Sequence, residues 1–585
     1  MGAMDSETGE TPRDRHLDTT TLIVIGLLAV ALVWRLVFFL EMYASPYGDN
    51  LTLDSEVYHQ IAVDVAHGRW SSGSTFFQAP LYPWTLGVVY SVFGASQTAA
   101  KLLQMLLSFA SCWLIYRISG RVFDSAVATV SLAISAFYGM YLYFANELFV
   151  VTLIVFLDLL GLDLLLRAAA GKGRVLWAAA GVAFGLSAIA RPTVLPFVGV
   201  VGVWIVVTGR RPGRVRSALL EAVVFIIGVA LPIAPVTLHN YLADGDLVLV
   251  AANGGVNFFI GNNSQSDGIT AAVPGARADR RGAHADQARI AREELGNPHA
   301  TPRGISDYWY DRAWRYIRNA PGEAFRHTAY KAFILVNAHE ISNNRVIEFT
   351  TRHSSIYSWA TLRFWLVLPL ALAGVLVGGG RRQQKTLLLI FAIVYSATVV
   401  PFFINVRFRI PVVAVLIIFA AAAVVAWFRS LKSWPLDRRS SLRVAMSVVL
   451  ALLTAVFIRP IAALRVPDAQ GFFNEAEAYR AHDDFEGATR WYERALDAYP
   501  GYCDAVFNLA RIHAEISTDP NKVIEVLDPV GESCAEDIGI RRLLGLSLCT
   551  VGRCHEGAEH LRAVALRNPG SEEAQRELDW ALSQD

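Results

Sequence analysis

Four acids and two tyrosines stand close together in the first part of the chain: Asp49, Asp54, Glu56 and Tyr58, then Tyr82 within Pro80-Leu81-Tyr82-Pro83-Trp84, and further on Glu147 in Tyr143-Phe144-Ala145-Asn146-Glu147-Leu148. Asp54 and Tyr58 are four residues apart and would share one face of a helix. A carboxylate held at a membrane boundary can take the proton of an attacking hydroxyl while a lipid-borne substrate approaches from the bilayer. The same acid can equally be a solvated loop charge or a helix cap. Asp49 and Glu56 are rivals to Asp54 for the role of base.

The elements that must position these side chains are membrane helices. The chain has 585 residues, of which 54% are hydrophobic and 18% charged, against about 25% charged in soluble proteins, and its mean hydropathy is +0.38. These values exclude a disordered chain, a collagen, a disulfide miniprotein and a basic nucleic-acid binder. A spanning helix needs about 20 mostly apolar residues, because every backbone polar group must be satisfied within the hydrocarbon. About eleven stretches qualify, near 21–41, 98–117, 125–145, 148–167, 174–190, 192–208, 217–238, 359–378, 386–404, 408–428 and 443–459. The run 81–93 is short for a span and is expected to lie in the interface.

Lys and Arg fix the orientation, since positive charge stays on the cytoplasmic side. Arg13 and Arg15, Arg117 and Arg121, Arg167 to Arg174, Arg210 to Arg216, Arg381 to Lys385 and Arg429 to Arg443 fall on one side. Residues 42–97, 239–357, the turn Asn405 to Arg409 and everything after Arg459 then face away from the cytoplasm. A cleaved signal peptide over the first stretch is the alternative, and the length of its apolar run favours a span.

The net charge of +1 conceals an asymmetry: 22 acidic and 11 basic residues lie from Gln470 to Asp585, and 29 acidic and 41 basic before them. After Pro460 the pattern becomes charged and amphipathic, and Tyr499-Pro500-Gly501, Ser533-Cys534-Ala535 and Asn568-Pro569-Gly570 recur 34 and 35 residues apart. This resembles the tetratricopeptide repeat, with Phe472, Tyr479, Ala488, Tyr492, Ala495 and Pro500 in the first unit, a degenerate middle unit, and Leu544, Gly545 and Leu561 in the third. Such repeats stack a helical core whose concave face commonly takes a peptide or partner; a helical cap without a ligand is the simpler reading. Cys503, Cys534, Cys549 and Cys554 lie in this tail, in a space that permits disulfides. A zinc site with His555 lacks a second paired set of ligands.

The order of motifs in the membrane part resembles the GT-C glycosyltransferases, specifically the protein O-mannosyltransferase and bacterial aminoarabinose transferase family. The resemblance rests on Asp54-x-x-x-Tyr58, Pro80-Leu81-Tyr82-Pro83-Trp84, the segment around Glu147, Ala190-Arg191-Pro192, Pro235 to Tyr241, Gly254-Gly255, Gly261-Asn262 and Arg407-Phe408-Arg409-Ile410-Pro411. It implies an all-α, polytopic enzyme that moves a monosaccharide from a polyprenyl phosphate to an acceptor with inversion. By the same resemblance, Asp54 deprotonates the acceptor hydroxyl with Glu147 beside it. Arg407 and Arg409, with Arg191 and His239 behind them, meet the phosphate on which charge grows. Tyr58, Tyr82 and Glu56 complete the substrate-contacting set. Some members carry a lysine immediately before the motif's proline, where this chain has Ala79, so its phosphate contacts must come from elsewhere.

Other residues admit two readings. Arg35, near the outer end of the first span, either snorkels to headgroups or binds phosphate, because a charge left at the bilayer centre costs about 2.5–3.5 kcal/mol. Asp158 and Asp163 either mark a proton path or pair with Arg167 and nearby backbone, and pairing is expected. Tyr308-Trp309-Tyr310 and Trp314, among Arg312, Arg315 and Arg318, are expected to form an interfacial belt rather than a stacking surface. Gly254-Gly255 with Asn257 and Asn262 is expected to be turn chemistry near the cavity. Gly378-Gly379-Gly380 lacks the Lys-Ser/Thr of a phosphate loop.

The expected organisation is a cytoplasmic tail (1–20), a GT-C membrane domain (21–460) and an extracytoplasmic tetratricopeptide domain (468–585), in a bacterial cytoplasmic membrane. No cofactor or metal is required by this reading. The acceptor is a Ser/Thr hydroxyl of an exported protein or a hydroxyl of an envelope glycan or lipid, and nucleic acid is not a partner. The contrasting reading is a non-enzymatic scaffold or lipid-linked glycan transporter whose tail recruits partners, and no internal repeat of the spanning region supports transport.

Overall fold

The computed structural model of the chain describes residues 18–171, 173–209, 215–276, 280–342, 345–359, 361–433, 437–459, 468–530, 534, 537–568 and 570–584. Arg13 and Arg15 in the N-terminal tail, the basic turn at 210–214, the linker at 460–467 and the repeat positions Ser533, Ala535 and Pro569 lie outside the described residues. Among the described residues the regular elements are all helices, with one isolated parallel bridge between Tyr138 and Leu362.

Five helices are long and apolar enough to cross a membrane: Thr19–Tyr43, Gln97–Val122, Val215–Asp244, Val406–Lys432 and Arg438–Phe457. The remaining expected spans are shorter apolar helices, such as Arg174–Ala190, Pro192–Thr208 and Phe364–Val377, or helices that carry charges, Val151–Ala169 and Arg382–Val399. The run 81–93 is a helix, Leu81–Phe93. Leu22, Leu231 and Leu452 are each more than half exposed on outward faces, as residues facing acyl chains should be. The chain is a multi-pass membrane protein. Val406–Lys432 is its most enclosed long helix, with 78% of its most apolar window buried. Gly374 lets Phe364–Val377 approach it, because a Cβ there would sit 1.8 Å from the Phe419 carbonyl oxygen.

The expected span 125–145 is in fact two helices, Ser125–Ala136 and Gly139–Asn146. Between them the backbone turns to meet a strand-like segment: Leu362 N donates to Phe137 O at 2.7 Å and Gly139 N donates to Leu362 O at 2.9 Å. Broken helices survive in a membrane protein only where neighbouring chain satisfies the freed groups, and Leu362 does so here. The break re-aims the second half of the span and sets the direction in which Glu147 leaves it.

Intramembrane charges are settled by pairing. Asp163 meets Arg117 at 3.1 Å and Arg121 at 3.0 Å, with Arg167 at 4.0 Å. Asp158 does not pair with Arg167; it accepts a 2.6 Å hydrogen bond from Ser187 Oγ. Arg35 neither snorkels nor faces the phosphate candidates. It is 1% exposed and donates to Ser108 Oγ (3.1 Å), Cys112 Sγ (3.0 Å) and Ala31 O (3.0 Å) inside the bundle.

Within 239–357, the described residues between Val256 and Ala313 build a lobe with a core of its own, while Ile334 to Tyr357 pack into the main core. Tyr308 and Trp309 are buried there with Val256, Phe259 and Ala313, and Arg312 lies over the rings of Phe259, Tyr308 and Trp309. The expected interfacial belt is therefore a packed core, with Trp314 left 46% exposed at its edge. The glycine pair also differs from expectation. Gly254 and Gly255 open the helix Gly254–Ile260 rather than a turn. A Cβ on Gly255 would lie 1.8 Å from Ser306 O, so close helix contact is what needs it.

Two cations fasten this lobe to the spans. Lys331, 1% exposed, donates to Gly261 O (2.8 Å), Pro401 O (3.1 Å) and Asn262 Oδ1 (3.2 Å). Arg409 donates to Asn337 O (2.6 Å), His339 O (2.9 Å) and Glu340 Oε2 (2.8 Å), with its guanidinium 4.0 Å from the Phe364 ring centre.

The C-terminal part consists of the helices Asp468–Arg480, Phe485–Ala498, Cys503–Glu515, Pro520–Leu527, Ile538–Thr550, Cys554–Arg567 and Glu572–Ser583. Ala488, Tyr492 and Ala495 are fully buried between the first helices. Cys503 and Cys534 form a disulfide, while Cys549 and Cys554 are buried outside it, on either side of the turn between Ile538–Thr550 and Cys554–Arg567.

Burial lowers the Lys331 ammonium from 10.5 to about 8. The unfolded chain then holds more protons between about pH 8 and 10.5, so the lobe should gain stability as pH rises through that window, by on the order of 3 kcal/mol. Lys331→Met should flatten the rise in urea unfolding of the detergent-solubilised protein. Arg409→Met should cost about 3–5 kcal/mol by stranding buried Glu340. Arg409→Met combined with Glu340→Gln should cost clearly less than the sum of the two single changes in the same measurement.

Candidate active site

Asp54 is the first residue of the helix Asp54–Ala66, and the residue before it is strained. Leu53 has φ 49° and ψ −112°, a conformation that costs a residue with a Cβ about 1–3 kcal/mol. It turns the chain so that Asp54 points inward, where it is 6% exposed. Its Oδ2 accepts from Arg407 Nη1 at 2.6 Å, across 353 residues of sequence. Tyr58, one turn on, packs edge to face on Tyr82 with centroids 5.0 Å apart. Glu56 is exposed.

Arg407 is the second residue of the helix Val406–Lys432, whose start is held by Val406 N donating to Ile341 O at 3.0 Å. The guanidinium lies 5.0 Å from the Phe408 ring centre and 5.7 Å from that of Phe149, and its Nε has no hydrogen-bond partner. Arg191 approaches the same Phe408 ring, also at 5.0 Å. It caps the helix Arg174–Ala190, lies within electrostatic reach of Asp54, Tyr58, Tyr395 and Arg407, and leaves Nη1 without a partner. Two cations on one aromatic ring, each with an unmet N–H, form a ready receptor for an anion.

Glu147 leaves the C-terminus of Gly139–Asn146, is 6% exposed, and its Oε1 accepts from Arg345 Nη1 at 3.1 Å. Its backbone oxygen accepts from Gln104 Nε2 at 2.7 Å, and Gln104 Oε1 accepts from Tyr82 Oη at 2.6 Å. Tyr58, Tyr82, Gln104 and the Glu147 backbone thus form one line of contacts from the helix that opens at Asp54 to the segment of Glu147. Arg345 lies over the Tyr47 ring at 4.7 Å, and its Nε also lacks a partner. Lys101, 5% exposed, donates to Gly48 O near Glu147.

The structure brings Asp54, Tyr58, Tyr82, Glu147, Arg191 and Arg407 together. Arg409 is two residues from Arg407 and so on a different face of the helix; it is committed to Glu340. His239 contacts neither Asp54 nor Arg407: its Nε2 meets Ser71 Oγ at 2.6 Å and its ring stacks on Phe76 at 4.5 Å. Asp49 is turned outward, 2.7 Å from His482 of the C-terminal helices. Arg345, Gln104 and Tyr47 were not singled out in the sequence. Glu147 and Arg345 are 198 residues apart, so no local spacing reveals their pairing. Among the described residues no group of three His, Cys, Asp or Glu side chains converges as metal ligands would.

Residues 77–238 match the family of dolichyl-phosphate-mannose-protein mannosyltransferases. The matched stretch contains Tyr82, Glu147 and Arg191, and it ends before Arg345 and Arg407 and begins after Asp54. No curated protein matches the sequence. Among solved structures, the chain is similar to ArnT from Cupriavidus metallidurans bound to undecaprenyl phosphate, at 15% identity over 94% of this chain and 81% of that one, with a TM-score of 0.42. It is also similar to the archaeal oligosaccharyltransferase AglB from Archaeoglobus fulgidus, in complex with an inhibitory peptide and a dolichol-phosphate, at 14% identity over 79% of this chain, with a TM-score of 0.39. This chain spans 59% of the length of that archaeal chain. The family match falls on the helices that carry Glu147 and Arg191, and it is this stretch, residues 77–238, that is similar to the mannosyltransferase family.

Proposed function

We propose that the chain transfers a monosaccharide from a polyprenyl phosphate to an acceptor hydroxyl on the far side of the membrane from the cytoplasm, with inversion at the anomeric carbon. The observation that carries this reading is the buried Asp54–Arg407 pair with Arg191 beside it. A carboxylate that could serve as base stands next to two cations that could hold a leaving phosphate.

One lone pair of Asp54 is occupied by Arg407 and is closed to a hydroxyl proton. A carrier phosphate entering between Arg191 and Arg407 offers the guanidinium a better acceptor, and Asp54 is released to the acceptor. The acceptor oxygen then attacks the anomeric carbon opposite the phosphate. Its proton passes to Asp54, the bond from that carbon to the phosphate oxygen breaks, and polyprenyl phosphate departs with one more negative charge, which the arginines neutralise. Glu147, Tyr58 and Tyr82 line the sugar and acceptor side.

The orientation follows from the alternation of Lys and Arg clusters, and a disulfide in the C-terminal helices agrees with a position outside the reducing cytoplasm. We read the C-terminal helices 468–585 as a tetratricopeptide domain that offers an extended groove, which favours an exported protein as acceptor over a glycan. The membrane is the cytoplasmic membrane of a bacterium in this reading.

The test is transfer from a panel of labelled polyprenyl-phosphate sugars to membrane and exported acceptors by purified protein in lipid. Asp54→Asn should lower kcat by about 10²–10⁴-fold, and Arg407→Lys, which keeps charge but loses the fork, should lower it less than Arg407→Ala. Undiminished transfer by Asp54→Asn would move the base elsewhere. Absence of transfer by the wild type across the panel would favour the scaffold or transporter.

A further inference from the structure

The C-terminal helices rest on the segments that support Glu147. The approach is close: a Cβ on Gly471 would lie 2.1 Å from the Phe349 ring, so only glycine allows the helix Asp468–Arg480 to seat there. Arg352 fills the seam, with its guanidinium 4.2 Å from the Phe349 ring centre, 5.3 Å from Trp491 and 5.6 Å from Phe472. Next to it, Glu475 is fully buried and takes His353 Nε2 at 2.9 Å and 3.1 Å through its two oxygens. The segment beneath is anchored independently, because Ser354 Oγ and Ser355 Oγ each donate to Glu41 at the end of the first span at 2.5 Å.

From Glu475 the contacts run without a gap into the site. The carboxylate holds the His353 ring through Nε2. The Tyr47 ring packs edge to face on His353, with centroids 5.0 Å apart. Arg345 lies on the Tyr47 ring at 4.7 Å and donates to Glu147 at 3.1 Å. A buried carboxylate of the C-terminal helices therefore fixes the platform on which Arg345, and through it Glu147, is aligned.

We propose that Glu475 is a positioning residue for sugar transfer, and that the C-terminal domain is coupled to the site through Glu475, Tyr47 and Arg345 rather than attached as an independent module. Seating of these helices sets the rotamer of Arg345. A partner that binds the domain and shifts the helix Asp468–Arg480 changes turnover at Glu147. This inference rests on the glycosyltransferase reading above.

The experiment compares wild type with Gly471→Val, which blocks seating while keeping every charge, and with Glu475→Gln. Trp580→Ala, in the last helix and away from the seam, is the control. Two quantities are measured on the full-length protein in lipid: kcat and KM for a labelled polyprenyl-phosphate sugar with a small soluble acceptor, and hydrogen exchange of residues 45–50 and 345–354. Both variants should lose about tenfold in kcat, with donor KM changed less than threefold and faster exchange in both segments, while Trp580→Ala matches wild type. Unchanged kcat in Gly471→Val and Glu475→Gln would overturn the coupling, even with faster exchange. Should the wild type transfer no sugar, the glycosyltransferase reading fails and exchange decides: faster exchange at 45–50 and 345–354 in both variants sustains the positioning contact, and unchanged exchange ends it.

Discussion

A charge taken out of water must meet an opposite charge or a set of dipoles, since leaving it alone costs several kcal/mol. Besides Asp163 with its arginines, the described residues of the membrane part obey that constraint by pairing Asp54 with Arg407, Glu147 with Arg345 and Glu340 with Arg409. Each of these last pairs joins segments distant in sequence, so together they fix how the outer segments lie on the bundle. The Glu340 pair is also tied to the backbone carbonyls of Asn337 and His339 and serves as a fastening. Arg345, Arg407 and Arg409 each keep an Nε without a partner, so unmet donors alone do not distinguish the pairs. What sets the Asp54 pair apart is a second guanidinium, Arg191, on the same Phe408 ring as Arg407.

The break at Phe137 and Tyr138 follows from the same logic. A continuous span would carry Glu147 onward along its axis; the short helix Gly139–Asn146 instead delivers it beside Gln104 and Arg345. The freed backbone groups are met by Leu362, from a segment more than 200 residues away. The strained Leu53 does the equivalent for Asp54. Irregular backbone thus positions both acids.

Much of this was legible in the residue pattern. Apolar runs marked where the membrane helices lie, and the spacing of Asp54 and Tyr58 placed both on the helix that the structure shows. Arg407 was named with Asp54 although no spacing links them, through the likeness of their two motifs to one family. What was hidden is tertiary. Arg345 carries no local signal because its meaning lies in Glu147 and Tyr47. Tyr308 and Trp309 read as a belt because aromatic residues beside arginines look alike whether they face headgroups or a small core. His239 lies near the site in sequence order only, and the approach of Ser71 and Phe76 holds it elsewhere. Glycine at 255 was similarly ambiguous: a turn and a close helix approach need the same residue.

The central claim is that Arg407 guards Asp54 until a phosphate draws it away, and binding of the bare carrier reads this without depending on turnover. Titration of a short-chain polyprenyl phosphate into wild type and Asp54→Asn, both in lipid and at one salt concentration, measures the competition directly. Removing the competing carboxylate should make Asp54→Asn bind the carrier about fivefold to tenfold more tightly, a gain of about 1 kcal/mol. Equal or weaker binding by Asp54→Asn would contradict the account.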